Sequence, residues 1–155
     1  RLYGEPLFGR RGVVVEMALQ EGLAPLQADS DGLKQVLLNL WKNAAEAMGR
    51  GGRLRLATAD CTGIGGRPLV EIRVADSGPG LPPAVMERLF QPVPATRRDG
   101  HEGLGLAIVQ AIMQRMGGDV TCRSSAAEGT VFRLLLPREA VSAVQVVKNK
   151  EEGNG

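Results

Sequence analysis

The sequence predicts an α+β protein, a two-layer α/β sandwich in which helices cover one face of a mixed, mostly antiparallel sheet. Two observations support this prediction. Strands with alternating apolar and polar residues come in consecutive pairs, residues 53–58 with 69–75 and residues 119–124 with 130–136. The helical segments do not alternate regularly with single strands, as they would in a doubly wound parallel sheet.

The residue pattern predicts each element along the chain. Residues 13–19 are rich in β-branched side chains and predict a strand, and residues 33–48 lack glycine and proline and predict the longest helix. Asp29, Ser30 and Asp31 are N-cap candidates for that helix, and Ser30 gives an approximate capping box. After the first hairpin, a short helix over 82–89, a long loop over 91–102, a helix over 106–116 and a second hairpin follow.

The composition is that of an ordinary globular domain. The chain has 155 residues and a mass of 16.4 kDa, with 43% hydrophobic and 23% charged residues. A net charge of +2 and 3% aromatic residues give no reason to expect nucleic-acid binding. Cys61 and Cys122 lack metal-ligand spacing, so a reducing compartment, the cytoplasm, is expected. No signal peptide and no apolar run of about 18 residues is present, so we expect no membrane contact by this chain.

The two ends of the chain differ from its centre. Because the first residue is arginine, we expect the chain to be part of a longer protein, which is compatible with a membrane-attached form. Residues 1–11 are interpreted as a lead-in from an upstream region, residues 12–137 as the folded domain and residues 138–155 as a C-terminal tail.

The helix over residues 33–48 has two chemically different faces. Gln35, Asn39, Asn43 and Glu46 recur at spacings of three and four on one face, although asparagine is a poor helix former. Two interpretations stay open from spacing alone: a solvated face, or carboxamide oxygens that bind Mg2+ beside substrate phosphates. The other face is an apolar stripe of Leu33, Val36, Leu37, Leu40, Ala44 and Ala47, and on the helix over 106–116 the expected core residues are Ile108, Val109, Ile112 and Met116.

Two glycine motifs supply the other parts of such a site. Asp76-x-Gly78-x-Gly80 follows a strand, where the acid can accept a hydrogen bond from an exocyclic amine; a tight acidic turn is the alternative. Gly103-x-Gly105 opens a helix whose free N–H groups suit phosphate oxygens; a helix start that merely needs room is the alternative. Taken together with the paired carboxamides, these motifs indicate an ATP·Mg site.

These residues resemble the catalytic, ATP-binding domain of sensor histidine kinases, a branch of the gyrase, Hsp90, histidine kinase and MutL ATPase superfamily. Five motifs occur in order between about residues 13 and 137, which makes the resemblance more specific than any single motif. They are the N box at Gln35, Asn39 and Asn43, the G1 box at Asp76, Gly78 and Gly80, the F box at residues 89–92, the G2 box at Gly103, Leu104, Gly105 and Leu106, and the last box at Gly129, Thr130 and Phe132.

The resemblance implies the Bergerat ATP-binding fold and a role for each motif. It implies that Asn43 coordinates Mg2+ with Asn39 beside it, that Asp76 binds the adenine amino group and that Thr130 supports the adenine. The glycines and leucines of the G2 box would bind the phosphates. Residues 91–102 would be the ATP lid, in which Arg97, or Arg98 beside it, touches the terminal phosphate. Lys42 is expected to add positive charge, with ordinary solvated charges as the alternative for all three basic residues.

The function implied by the resemblance is transfer of the γ-phosphate of Mg-ATP to a histidine on a separate dimerisation domain, with a response regulator as an indirect partner. Asn39, Asn43 and Arg97 are the expected catalytic residues, and His101, the only histidine, is not expected to be the acceptor. A self-sufficient ATPase and a non-catalytic nucleotide-binding module stay open as alternatives. The ATPase is disfavoured because Asn39 stands where such relatives place a glutamate base, and a carboxamide does not accept a proton.

Overall fold

A computed structural model describes residues 12–20, 29–49, 51–91 and 104–138. The predicted order of strands and helices is confirmed, and a 3-10 turn at Ile64–Gly66 joins the strands of the first hairpin. The elements are β1 Val14–Ala18, α1 Ser30–Met48, β2 Arg53–Thr62, β3 Pro68–Asp76, α2 Pro83–Glu87, α3 Leu104–Arg115, β4 Asp119–Ser125 and β5 Gly129–Pro137.

The strands form one five-stranded sheet in the order β1-β2-β3-β5-β4. β1 is parallel to β2, and the other neighbouring pairs are antiparallel. A parallel pair requires a crossover connection, which α1 provides between β1 and β2. The prediction of a mixed, mostly antiparallel sheet is therefore confirmed.

The core lies between one face of the sheet and the two longer helices. Alternate residues of the strands point toward this layer, as Leu54 of β2 and Leu134 of β5 show at 1% and 0% exposure. Leu40 of α1 and both Val109 and Met113 of α3 fill the space opposite them. Within the described ranges, no helix combines the length and hydropathy needed to cross a bilayer.

The opposite face of the sheet carries charged side chains. Arg73 of β3 lies directly across from Arg133 of β5, a like-charge pair that is unfavourable by itself. Glu71 accepts hydrogen bonds from both guanidinium groups, with Arg133 Nε at 2.6 Å. Burial by itself would raise the pKa of Glu71, but the hydrogen bonds and charges of Arg133 and Arg73 lower the pKa below its usual value.

At the N-terminus of α1 the structure selects one of the three predicted cap candidates, and the end of β2 differs from the prediction. Asp29, not Ser30, caps the helix, because its Oδ1 accepts a hydrogen bond from the backbone N–H of Asp31 at 3.1 Å. β2 continues to Thr62 instead of ending at residue 58, since it pairs with β3 along its full length.

The core faces of the two longer helices also differ in part. Ile108 is 47% exposed, whereas Met113 is fully buried, because α3 packs against both α1 and β4 and this sets its rotation. On α1, Ala47 is exposed and Trp41 is 4% exposed, so the apolar stripe is wider at its centre than the spacing predicted.

Candidate nucleotide site

Asp76, the predicted adenine-binding acid, is the last residue of β3 and is 7% exposed. Its Oδ1 accepts hydrogen bonds from the backbone N–H groups of Gly78 at 2.9 Å and Thr130 at 3.4 Å. Desolvation raises the pKa of Asp76 above its usual value, and these two bonds oppose part of that rise. Both bonds end on Oδ1, so among the described residues Oδ2 is the carboxylate oxygen left available to a ligand.

Close backbone contacts hold the loop after Asp76 against the β4–β5 turn. Gly80 has a φ of 81°, and a Cβ on it would lie 2.5 Å from the carbonyl oxygen of Ser125. Gly129 has a φ of 80°, and a Cβ on it would lie 2.0 Å from the carbonyl oxygen of Asp76. Only glycine fits at these two points, so the loop has a fixed position relative to β5.

Thr130 lies opposite Asp76 in the register of β5 with β3, so the structure brings these two predicted residues together. Thr130 is 3% exposed, and its Oγ1 lies 2.8 Å from Ser124 Oγ. Ser124 Oγ also accepts a hydrogen bond from the backbone N–H of Leu81 at 2.7 Å. The sequence reasoning missed Ser124; the alternation of β4, which turns Val120 inward, was the signal that could have found it.

The two asparagines of α1 lie one turn apart and are both half-buried. Asn39 Oδ1 accepts a hydrogen bond from Gln35 Nε2 at 3.1 Å. Asn43 Nδ2 is buried and has no hydrogen-bond partner in the part of the chain that the structure describes. A buried polar group without a partner costs about 1–3 kcal/mol, so the Asn43 carboxamide has hydrogen-bonding capacity left for a ligand.

The loop after Asp76 touches the last turn of α1. A Cβ on Gly78 would lie 3.7 Å from the carbonyl carbon of Ala47 and 3.5 Å from Met48 Cγ. Ser77 Oγ contacts Met48 Sδ at 3.8 Å. Asn43 is one helical turn before Ala47, so the carboxamide face and the acidic loop meet at the same end of α1.

The chemistry of these residues fits a metal that is held mainly by the nucleotide. The described residues contain no cluster of three or more His, Cys, Asp or Glu side chains that could form an all-protein metal site. Mg2+ usually keeps waters and binds substrate phosphates together with one or two protein oxygens, and the neutral carboxamide oxygen of Asn43 is suited to such a role. Lys42 is exposed beside Asn43, and its contribution of charge stays a prediction.

Part of the predicted phosphate end lies outside the described residues. This applies to Arg97, Arg98, His101 and Gly103, so their roles stay predictions. α3 begins at Leu104 and includes Gly105 in its first turn. Leu106 is 6% exposed and belongs to the core cluster, so its side chain packs in the protein interior.

A shallow cleft of about 370 Å3 lies beside the loop after Asp76. Gly78 is the only predicted site residue among those that line it, so this cleft is not assigned as the nucleotide site. Its lining residues are Met48, Gly51, Gly52, Ser77, Gly78, Pro79 and Ala126.

Sequence comparisons relate the chain to sensor kinases. The family model described as "Histidine kinase-, DNA gyrase B-, and HSP90-like ATPase" matches residues 28–140. Sensor histidine kinase ZraS of Klebsiella oxytoca is 40% identical over 127 residues, which cover 82% of this chain and 26% of ZraS. Sensory histidine kinase/phosphatase NtrB of Rhizobium meliloti is 41% identical over 141 residues, which cover 84% of this chain and 36% of NtrB. The chain thus spans only a minor part of these relatives.

Solved structures show the same fold. The catalytic domain of histidine kinase ThkA superposes with a TM-score of 0.72 at 28% identity, covering 87% of this chain and 84% of that domain. Full-length ShkA, solved in complex with AMPPNP, superposes with a TM-score of 0.71 at 31% identity, covering 90% of this chain and 28% of ShkA. These likenesses confirm the predicted α+β sandwich.

Proposed function

The chain belongs to the histidine kinase-, DNA gyrase B- and HSP90-like ATPase family, as a catalytic domain of the sensor histidine kinase type, and we propose that it binds ATP with Mg2+ and phosphorylates a histidine. The acceptor histidine belongs to a separate dimerisation domain of the same kinase. A response regulator then receives the phosphoryl group from that histidine.

The observation that carries this proposal is the pairing of Asp76 with Thr130 next to the end of α1 that carries Asn43. The free oxygen of the Asp76 carboxylate is suited to accept a hydrogen bond from the 6-amino group of adenine. With the base at Asp76, the phosphates extend toward α1 and the start of α3, whose N-terminal N–H groups favour anions. Asn43 then provides a carboxamide oxygen for the metal that accompanies the phosphates.

Phosphoryl transfer needs mainly positioning and charge neutralisation, so a domain without its own nucleophile is chemically sufficient. The bound metal supplies neutralisation of the charge on the phosphates. Arg97 adds a positive charge at the terminal phosphate, and Lys42 adds one at α1. Asn39 holds no proton-accepting group, which disfavours activation of water and therefore favours transfer over hydrolysis.

The test combines binding with transfer. The 155-residue chain is titrated with ATP in the presence of Mg2+, and is then mixed with a histidine-kinase dimerisation domain and radiolabelled ATP. We expect saturable binding and a label on the dimerisation domain that disappears when its acceptor histidine is replaced by alanine. Rapid ATP turnover by the chain alone would indicate an ATPase instead, and absence of nucleotide binding would contradict the proposal.

A further inference from the structure

Ser124 connects the loop after Asp76 to Thr130. Its Oγ accepts a hydrogen bond from the backbone N–H of Leu81 at 2.7 Å and lies 2.8 Å from Thr130 Oγ1. Ser124 is half-buried and Thr130 is 3% exposed, so both contacts lie largely out of solvent. The proposed function assigns no role to Ser124.

Either hydroxyl can donate in the Ser124–Thr130 hydrogen bond, and the direction decides which of the two protons is left for a ligand. A hydroxyl has one proton to donate and two lone pairs that accept. Leu81 N–H can only donate, so Ser124 Oγ is the acceptor in that bond. If Thr130 donates to Ser124, the Ser124 proton is left over and the Thr130 hydroxyl has no proton to offer a ligand. If Ser124 donates to Thr130, its proton is used and the Thr130 proton is left for a ligand.

We infer that Ser124 is a positioning residue that makes the Thr130 hydroxyl a hydrogen-bond donor toward the base. This inference rests on the proposed function, since it concerns the same ATP site. Adenine presents a donor, the 6-amino group, next to an acceptor, N1. Asp76 as acceptor and Thr130 as donor match this pair, whereas hypoxanthine presents the reverse order, with O6 as acceptor and N1–H as donor.

A purely structural role of Ser124 predicts a different outcome. The hydrogen bond to Leu81 helps to hold the loop of residues 77–82. Loss of this bond by itself would weaken the binding of every nucleotide to the same extent. A role through Thr130 changes the preference for adenine over hypoxanthine, because an unanchored Thr130 hydroxyl can rotate to accept instead of donate. The ratio of ATP to ITP affinity therefore separates the two roles.

The experiment measures dissociation constants for ATP and ITP by calorimetry on the whole 155-residue chain. We expect Ser124→Ala to weaken ATP binding about tenfold and ITP binding much less, so that the preference for ATP falls. Ser124→Thr keeps the hydroxyl and should restore most of the preference. Thr121→Ala removes an exposed hydroxyl from the opposite face of β4 and should behave like the parent chain.

An unchanged preference for ATP in Ser124→Ala, or equal losses for ATP and ITP, would overturn the inference. If Ser124→Ala does not fold, Ser124→Cys is measured instead. Its S–H group is a weak donor, so its preference for ATP over ITP should lie between no preference and that of the parent. A Ser124→Cys chain with the full preference of the parent would overturn the inference. A parent chain that binds neither nucleotide would overturn the proposed function and this inference with it. A parent with a clear ATP preference that Ser124 does not affect would overturn this inference alone.

Discussion

The two ends of the proposed site differ in how far the chain itself satisfies their polar groups. At the adenine end, Asp76 Oδ1 accepts two backbone hydrogen bonds, Thr130 has Ser124 as a partner, and close glycine contacts fix the loop. At the phosphate end, Asn43 Nδ2 is buried without a partner within the described part of the chain, which does not include residues 92–103.

In the proposed site, this difference means that base recognition is built into the fold, whereas the phosphate end is completed by its ligand. Groups that are already held in their binding geometry need little ordering when the nucleotide arrives. A carboxamide with unused hydrogen-bonding capacity gains a partner only then. We therefore expect changes at the adenine end to alter both stability and binding, and changes at Asn43 to weaken binding without a loss of stability.

The largest expected effect is that of Gly129→Ala at the adenine end. The new Cβ would lie 2.0 Å from the Asp76 carbonyl oxygen at a φ of 80°, so β5 and the loop must separate. We expect the free energy of unfolding, measured with urea, to fall by about 3 kcal/mol or more. Gly65→Ala is the matched control, because its φ is 74° but nothing lies within 4 Å, and it should lose about 1 kcal/mol. Equal losses would contradict the close contact.

Asp76→Asn should have the next largest effect, and this effect should be on the affinity for ATP. The variant keeps a carbonyl oxygen that can accept from the Gly78 and Thr130 N–H groups. Its amide NH2 group would face the 6-amino group of adenine, so two hydrogen-bond donors would meet. We expect ATP affinity to fall about a hundredfold, measured by calorimetry, with the fold retained. Retained affinity would remove Asp76 from the base-binding site.

The same variant should also change how stability depends on pH. Burial raises the pKa of Asp76 above 3.8, so over the range from 3.8 up to that pKa the folded state binds more protons than the unfolded state. The contribution of Asp76 to stability therefore falls as the pH rises through this range. Asp76→Asn should gain stability relative to the parent between pH 3 and pH 7 in urea titrations, and a relative loss would contradict the assigned direction.

Glu71→Gln, on the opposite face of the sheet, should have the smallest effect and tests whether the site effects are local. The arginines lower the pKa of Glu71 below 4.5, so its stabilising contribution is complete above that value and is lost as the pH falls through the lowered pKa. Because both arginines are about half exposed, we expect a loss of about 1 kcal/mol or less at pH 7, shrinking toward pH 3. A change in ATP affinity would break the proposed separation of the two faces.

The sequence predicted the order of elements and marked Asp76 and Thr130, which the structure brings together, because both depend on short-range patterns. Alternation at a period of two identifies strands such as β3 and β5 wherever one face is buried. The glycines after Asp76 and before Thr130 mark points where only glycine fits, so they are visible as motifs.

The features that the sequence did not predict depend on tertiary packing. Asp29 and Ser30 are both good caps, and the structure places the cap at Asp29, whose backbone is extended while Ser30 is already helical. Ser124 meets Leu81 across 43 positions of sequence, so no local spacing indicates the contact. Glu71 stands at an alternation position that predicts exposure, and its burial comes from arginines on two strands.

The most direct test of the account is a comparison of ATP affinity with and without Mg2+ in the parent chain and in Asn43→Ala. We expect Mg2+ to strengthen ATP binding at least about tenfold in the parent, and this gain to disappear in Asn43→Ala, which stays folded. Gln114→Ala, which removes an exposed carboxamide from α3, should keep the full gain. An Asn43→Ala chain that keeps the gain from Mg2+ would contradict the claim that the ligand completes this end of the site.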